Sequence, residues 1–173
     1  MNRSYYFDKA IGCIEYDELS KKIIFGLKYN NKTFMSRYIA TIIKEKLSSE
    51  GIEFDYIIYV PLHKSREKKR GFNQSKLIAK NLGEILNIEV INCIARNKKT
   101  KRLFELKDRE RIKELKNAFV TKSDIDICKN KRVLLIDDIF TTGSTVNEIS
   151  KLLKINCVKN VYVCTFLTRI NCY

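Results

Sequence analysis

The residue pattern of this chain predicts an α/β fold, a Rossmann-like parallel sheet flanked by helices. Strand-like and helix-like segments alternate from residue 56 onward, the order of a parallel sheet with crossover helices. The strands are apolar almost throughout, as in 133–136 and, Thr165 apart, 161–167, which suits strands covered on both faces. A third observation locates a ligand. The run V-L-L-I-D-D-I-F-T-T-G-S-T (133–145) ends its apolar stretch on two carboxylates, and in open α/β sheets ligands bind at the carboxyl ends of strands.

The elements follow in order. Residues 5–16 mix aromatic and β-branched residues around Gly12 and predict a short hairpin. Over 17–28, Leu19, Ile23, Ile24 and Leu27 recur at helical spacing. After an Asn30-Asn31 turn, a helix over 32–49 would turn Phe34, Tyr38, Ile39, Ile42, Ile43 and Leu47 inward and stop at Gly51. Residues 56–60 read as a short strand closed by Pro61, 63–71 as a basic loop, and 73–86 as a helix burying Leu77, Ile78, Leu82 and Ile85. A further strand is expected over 90–95. The charged stretch 96–117 reads as a loop followed by a helix around 108–116. A helix over 144–153 and a strand over 161–167 complete the pattern, and no internal repeat is visible.

Bulk properties bound the class. A chain of 173 residues, 45% hydrophobic and 31% charged, suits a single domain (1–173) with a full core. No apolar run reaches the length of a membrane span, and residues 1–20 lack a signal peptide's apolar core, so a cytoplasmic location is expected. The six cysteines (Cys13, Cys93, Cys128, Cys157, Cys164, Cys172) include no C-x-x-C pair, and His63 is the one histidine. Reduced thiols and no zinc site are therefore expected. The net charge of +14 attracts polyanions and permits salt-sensitive nucleic-acid binding. Yet Lys21, Lys22, Lys44, Lys46, Lys151 and Lys154 are spread as on solvated helix faces, so charge alone does not identify DNA as a partner.

Two segments carry chemistry. Asp137 and Asp138 offer acids for a diol, while Thr141, Thr142, Gly143, Ser144 and Thr145 offer N–H groups and hydroxyls at a helix N-terminus, a phosphate site. Together they suggest a ribose 5-phosphate. The alternative is a turn and helix cap, but adjacent acids repel and are costly without a cation or donors. No Gly-Lys-Ser/Thr follows a glycine as in a P-loop, and the lone Gly143 excludes a G-x-G-x-x-G fingerprint. In the second segment, V-P-L-H-K-S-R-E-K-K-R-G-F-N-Q-S-K-L-I-A (60–79), Lys64, Arg66, Lys68, Lys69 and Arg70 suit a pyrophosphate. Gly71 allows a tight turn, and Asn73 can cap the next helix. Standing alone, that charge run would read as a solvated face.

Residues 133–145 resemble the signature for phosphoribosyl pyrophosphate (PRPP) in type I phosphoribosyltransferases. With 60–74, G-L-K-Y (26–29) and N-A-F (117–119), the chain resembles the ComF family over about 16–168. The resemblance implies a type I phosphoribosyltransferase fold with a small N-terminal hood, here 1–30, and a link to natural competence and DNA uptake. It implies Mg²⁺-PRPP as ligand and displacement of pyrophosphate at the anomeric carbon through an oxocarbenium-like transition state. Asp137 and Asp138 would bind the ribose hydroxyls directly or through the metal's water, and Thr141 to Thr145 the 5′-phosphate. Leu62, His63 and Lys64 would form the pyrophosphate loop, with Arg66 or Arg70 closing on it. His63 is read there as a backbone position rather than a general base. Mg²⁺ would be held mainly by substrate oxygens and water, without a dedicated protein site.

Two features depart from the family. An N-terminal zinc ribbon of C-x-x-C pairs is common in it, but here Cys13 stands alone, so no ribbon is expected. A T-x-x-Q pattern has Leu103 in place of the amide after Thr100. The acceptor is not legible, and amidotransfer has no N-terminal cysteine nucleophile to support it. Three readings stay open: a phosphoribosyltransferase, a competence factor that binds single-stranded DNA or partner proteins, and a PRPP or nucleotide sensor without turnover.

Overall fold

The computed structural model describes residues 5–29, 32–100 and 108–169. Chain order begins with β1 (Lys9–Glu15), α1 (Glu18–Tyr29), α2 (Met35–Glu50) and β2 (Tyr56–Tyr59). It continues through α3 (Lys64–Arg70), α4 (Gln74–Leu86), β3 (Ile94–Arg96), α5 (Asp108–Leu115) and β4 (Phe119–Thr121). After a 3₁₀ turn (Ser123–Cys128) come β5 (Arg132–Phe140), α6 (Ser144–Ile155) and β6 (Asn160–Thr168). The Asn30-Asn31 turn, Leu103 and Cys172 lie outside the described residues.

The main sheet is parallel throughout, in the order β1-β6-β5-β2. Successive side chains of a strand point to opposite faces, and here both faces are covered. Val133, Leu135, Val161 and Val163 pack with Val146, Ile149 and Leu153 of α6. Leu134, Ile136, Cys164 and Phe166 pack on the other side with Ile24, Leu27, Ile39, Ile43, Ile78 and Leu82 of α1, α2 and α4. That two-sided burial explains why the central strands read as nearly continuous apolar runs. No helix among the described residues is long and apolar enough to cross a membrane.

Several expectations fail for identifiable reasons. The hairpin over 5–16 does not form: β1 is one strand, and Ala10 pairs with Val163 some 150 positions away. The edge of β6 supplies a long partner that the local sequence does not reveal, so part of the expected hood belongs to the main sheet. Phe34 and Tyr38 point to solvent, at 61% and 66% exposure. The buried stripe of α2 is Ser36, Ile39, Ala40, Ile43 and Leu47, and Tyr38 lies off it. The basic stretch expected as a loop is the helix α3, capped by His63 through Nδ1, which accepts the Ser65 N–H at 3.2 Å. Gly71 ends it at φ 88°, a left-handed conformation that glycine adopts without penalty.

The strand expected over 90–95 divides. Val90 bridges to Ile57 beside β2, and the chain then leaves the sheet edge to form β3, paired antiparallel with β4. β4 was not expected at all, being only three residues long.

Candidate functional site

β5 does not stop before the two acids. It runs to Phe140 because β6 pairs with it as far as Phe140↔Thr168, whereas β2 ends where Tyr59 meets Ile136. Past Ile136 the β2 side of β5 is therefore open, and the first turn of α4 fills that space. Asn73 anchors this turn, donating from Nδ2 to Val60 O at 3.0 Å and accepting the Lys76 N–H at 3.3 Å. Ser75 Oγ then donates to Asp137 Oδ1 at 3.0 Å, and the Asp138 N–H donates to the same oxygen at 2.9 Å.

The two acids have different surroundings. Alternation along β5 turns Asp137 toward α6 and Asp138 toward α1. Asp138 is ion-paired with Lys28, near the carboxyl end of α1. That helix is started by Asp17, whose Oδ1 accepts the Ser20 N–H at 2.6 Å. Burial opposes ionisation of Asp138, but the charge and bond of Lys28, with help from Arg70, outweigh it and hold this carboxyl below its usual range. Asp137 has no such cation: burial and the negative charge of Asp138 push its carboxyl well above the usual range.

Asp137 lines a small depression with Ile139, Phe140 and the turn Thr141 to Thr145. In this turn Gly143 has φ 69°, and a Cβ there would come within 2.8 Å of the Phe140 ring. Gly143 is also the N-cap of α6 and has no side chain to bond the helix's first N–H groups. Those donors, with the Thr142 and Ser144 hydroxyls 2.9 Å apart, make a cradle for an anion.

The second segment reaches the same rim through its arginines. Arg70 donates to Gln74 Oε1 and lies 5.3 Å over the Tyr29 ring, and its charge contributes at Asp138. Arg66 Nη2 donates to Thr100 O at 2.6 Å. Leu62 and His63 are half-buried, while Lys64 is exposed. A bridge from His63 to Arg96 ties this segment to the end of β3.

Sequence reasoning missed four side chains. Lys28 stands within G-L-K-Y and Ser75 directly after R-G-F-N-Q, so both lie in or beside quoted motifs without an assigned role. Thr100 opens the T-x-x-Q pattern but had no assigned role, and Arg96 gave no signal. Arg96 is buried, lies 5.4 Å over the Phe119 ring and donates to Thr100 Oγ1. Its Nε has no hydrogen-bond partner among the described residues. Burial, then the charge of Arg66, pull its guanidinium down to about 10, with Asp137 acting in the opposite sense.

An acid pair followed by an anion cradle stands at the carboxyl rim of this parallel sheet, and the family model described as a phosphoribosyl transferase domain matches residues 12–173. Competence protein F of Haemophilus influenzae is 33% identical over 165 residues, which cover 91% of this chain and 71% of that protein. The DNA utilization protein YhgH of Escherichia coli O157:H7 is 33% identical over 163 residues, covering 91% and 70%. Competence protein ComFC of Streptococcus pneumoniae is 31% identical over 165 residues, covering 89% and 70%. This chain belongs to the phosphoribosyl transferase domain family and, within it, to the competence protein F (ComF) family. Among solved structures, glutamine PRPP amidotransferase from B. subtilis aligns with a TM-score of 0.52 at 18% identity, over 75% of this chain and 25% of that one. That likeness shows a shared fold and nothing more.

Proposed function

We propose that this chain binds PRPP as its magnesium complex and transfers the phosphoribosyl group to an acceptor, in the handling of DNA during uptake or use. The observation that carries the reading is the sequence of groups along one rim: Asp137 and Asp138, then the Thr141–Thr145 turn, then the uncapped start of α6. The relatives named for competence and DNA utilization support the cellular half of the proposal. In the transfer, the bond from the anomeric carbon to pyrophosphate breaks and the leaving group takes the electron pair. The acceptor's nucleophilic atom forms the new bond and loses a proton.

The residues divide this work. The cradle holds the 5′-phosphate, the acids face the ribose hydroxyls, and Arg66, Arg70 and Arg96 receive the negative charge that develops on pyrophosphate. A magnesium ion fits the donor set: both bonds to Asp137 use Oδ1, so Oδ2 is left as a hard oxygen donor on a residue that lines the depression. Among the described residues no three metal-ligating side chains gather, so substrate and water would complete the shell, and the ion would neutralise phosphate charge. The test is calorimetric titration of Mg²⁺-PRPP into the chain and into Asp137→Asn/Asp138→Asn, followed by assay of pyrophosphate release with nucleobases and amines. Micromolar binding lost in the double variant is expected. Binding without release across all acceptors would mark a PRPP sensor, and no binding to the intact chain would sink the proposal.

A second reading has its own observation. Phe25, Tyr29, Phe34 and Tyr38 are exposed, form two ring pairs, and adjoin Arg70 through Tyr29. Exposed rings beside cations suit the bases and phosphates of single-stranded DNA. Anisotropy of a labelled oligonucleotide against salt tests it, and a flat dependence would count against an electrostatic groove.

A further inference from the structure

We infer that the outer edge of β1 is a self-association surface, occupied by β1 of a second copy of this chain in antiparallel register about Gly12. β1 is the last strand of the main sheet, and among the described residues no strand pairs with its outer side. Flanking backbone bonds give the phase: the Asp8 N–H donates to Val161 O and the Tyr16 N–H to Thr168 O, both at 2.8 Å. Even-numbered residues therefore face β6, and the backbone groups of Lys9, Ile11, Cys13 and Glu15 point outward. The Glu15 carbonyl already accepts from Ser20 Oγ at 3.1 Å. A cavity of about 260 Å³ follows the strand from Lys9 to Glu15, bordered by Lys46 and Glu50 of α2.

The charges on this edge choose its occupant. Exposed edges often carry charge to prevent strand pairing, but here the two ends have opposite signs. Antiparallel pairing about Gly12 sets Lys9 against Glu15 twice and Ile11 against Cys13 twice, and all of these are residues whose backbone groups point outward. Gly12 then faces Gly12 in a non-hydrogen-bonded pair, where Cα atoms approach to about 4.5 Å, and no side chain obstructs them. A shift of two residues either way loses both charge pairs. Within its own copy, the Lys9 ammonium also bonds Glu50 at 2.8 Å, so the contact joins an existing ion-pair group.

The result is a continuous eight-stranded sheet about a two-fold axis. The axis turns the two β5 rims to opposite ends, so both candidate sites stay open. A single strand pair is small beside the roughly 1,600 Å² of a standard interface, so a dimer with a micromolar dissociation constant is expected. Sedimentation velocity over a concentration series of the full chain tests the inference. The wild type should show a monomer–dimer equilibrium. Glu15→Lys and Lys9→Glu should each weaken it by about tenfold or more, because each sets like charges opposite twice. An equimolar mixture of the two variants should recover the dimer, because opposite charges then meet at both ends. Gly12→Cys, treated with an oxidant, should give a reducible covalent dimer beyond the wild-type background. A wild type that stays monomeric throughout, a variant that dimerises undiminished, or a Gly12→Cys chain that does not cross-link would overturn the inference.

Discussion

Asp137→Asn should make the protein more stable while abolishing its ligand binding. Asp137 is buried beside the ionised Asp138, without a cation of its own, and its carboxyl is pushed above the usual range. A group whose folded pKa is raised contributes stability that is complete below the unfolded value and is lost as pH rises above it. Toward neutral pH folding must therefore hold Asp137 protonated, or bury it as an unpaired charge, while the unfolded chain ionises it freely, and this destabilises the wild type. Asparagine keeps an oxygen for the Ser75 and Asp138 donors and has no such proton to take up. A tenfold change in an acid's dissociation constant is worth about 1.4 kcal/mol, so a gain on the order of 2 kcal/mol is expected at pH 8. In a chain of this size that corresponds to roughly 4–8 °C in Tm. The assay is thermal denaturation at pH 5 and pH 8, with and without Mg²⁺-PRPP. The variant should melt higher at pH 8, the difference should shrink at pH 5, and ligand should raise only the wild type. An asparagine variant less stable than the wild type at pH 8 would refute the electrostatic account of this rim.

Three further outcomes follow from the same geometry. Lys28→Met leaves Asp138 buried and unpaired, which should cost roughly 3–5 kcal/mol at neutral pH. Because Asp138 is held low, the wild type loses that contribution as pH falls through the acid range, so the two Tm curves should converge there. Gly143→Ala forces a left-handed φ on alanine and a 2.8 Å contact with Phe140. A loss of about 1–2 kcal/mol in denaturant titration is expected, with weakened PRPP binding by calorimetry. Tyr38→Ala removes an exposed ring, so it should leave Tm and PRPP binding unchanged while weakening oligonucleotide binding by about 1–3 kcal/mol if bases stack there. Equal oligonucleotide affinity would exclude Tyr38 from that surface.

The parallel sheet and its rim were legible because their signals are local. Apolar runs reveal β5 and β6, helical spacing reveals α1, α2 and α4, and the acid–turn–helix order of 133–145 needs only adjacency. What failed depended on partners distant in sequence. β1 is a strand because β6 offers an edge, not because of anything near Gly12. Phe34 and Tyr38 have the hydrophobicity of core residues but miss the stripe that packs on the sheet. α3 was hidden because the charged run between His63 and Gly71 looks alike as loop or helix until both caps are seen.

By itself, then, the sequence determined the class of fold, the central strands and the order of chemical groups along 133–145, since period and adjacency are properties of the chain alone. Only the tertiary structure decided that the two adjacent acids differ. Alternation on β5 turns Asp138 to Lys28 from more than a hundred residues away and leaves Asp137 to burial, so one carboxylate is neutralised by a cation and the other by its surroundings.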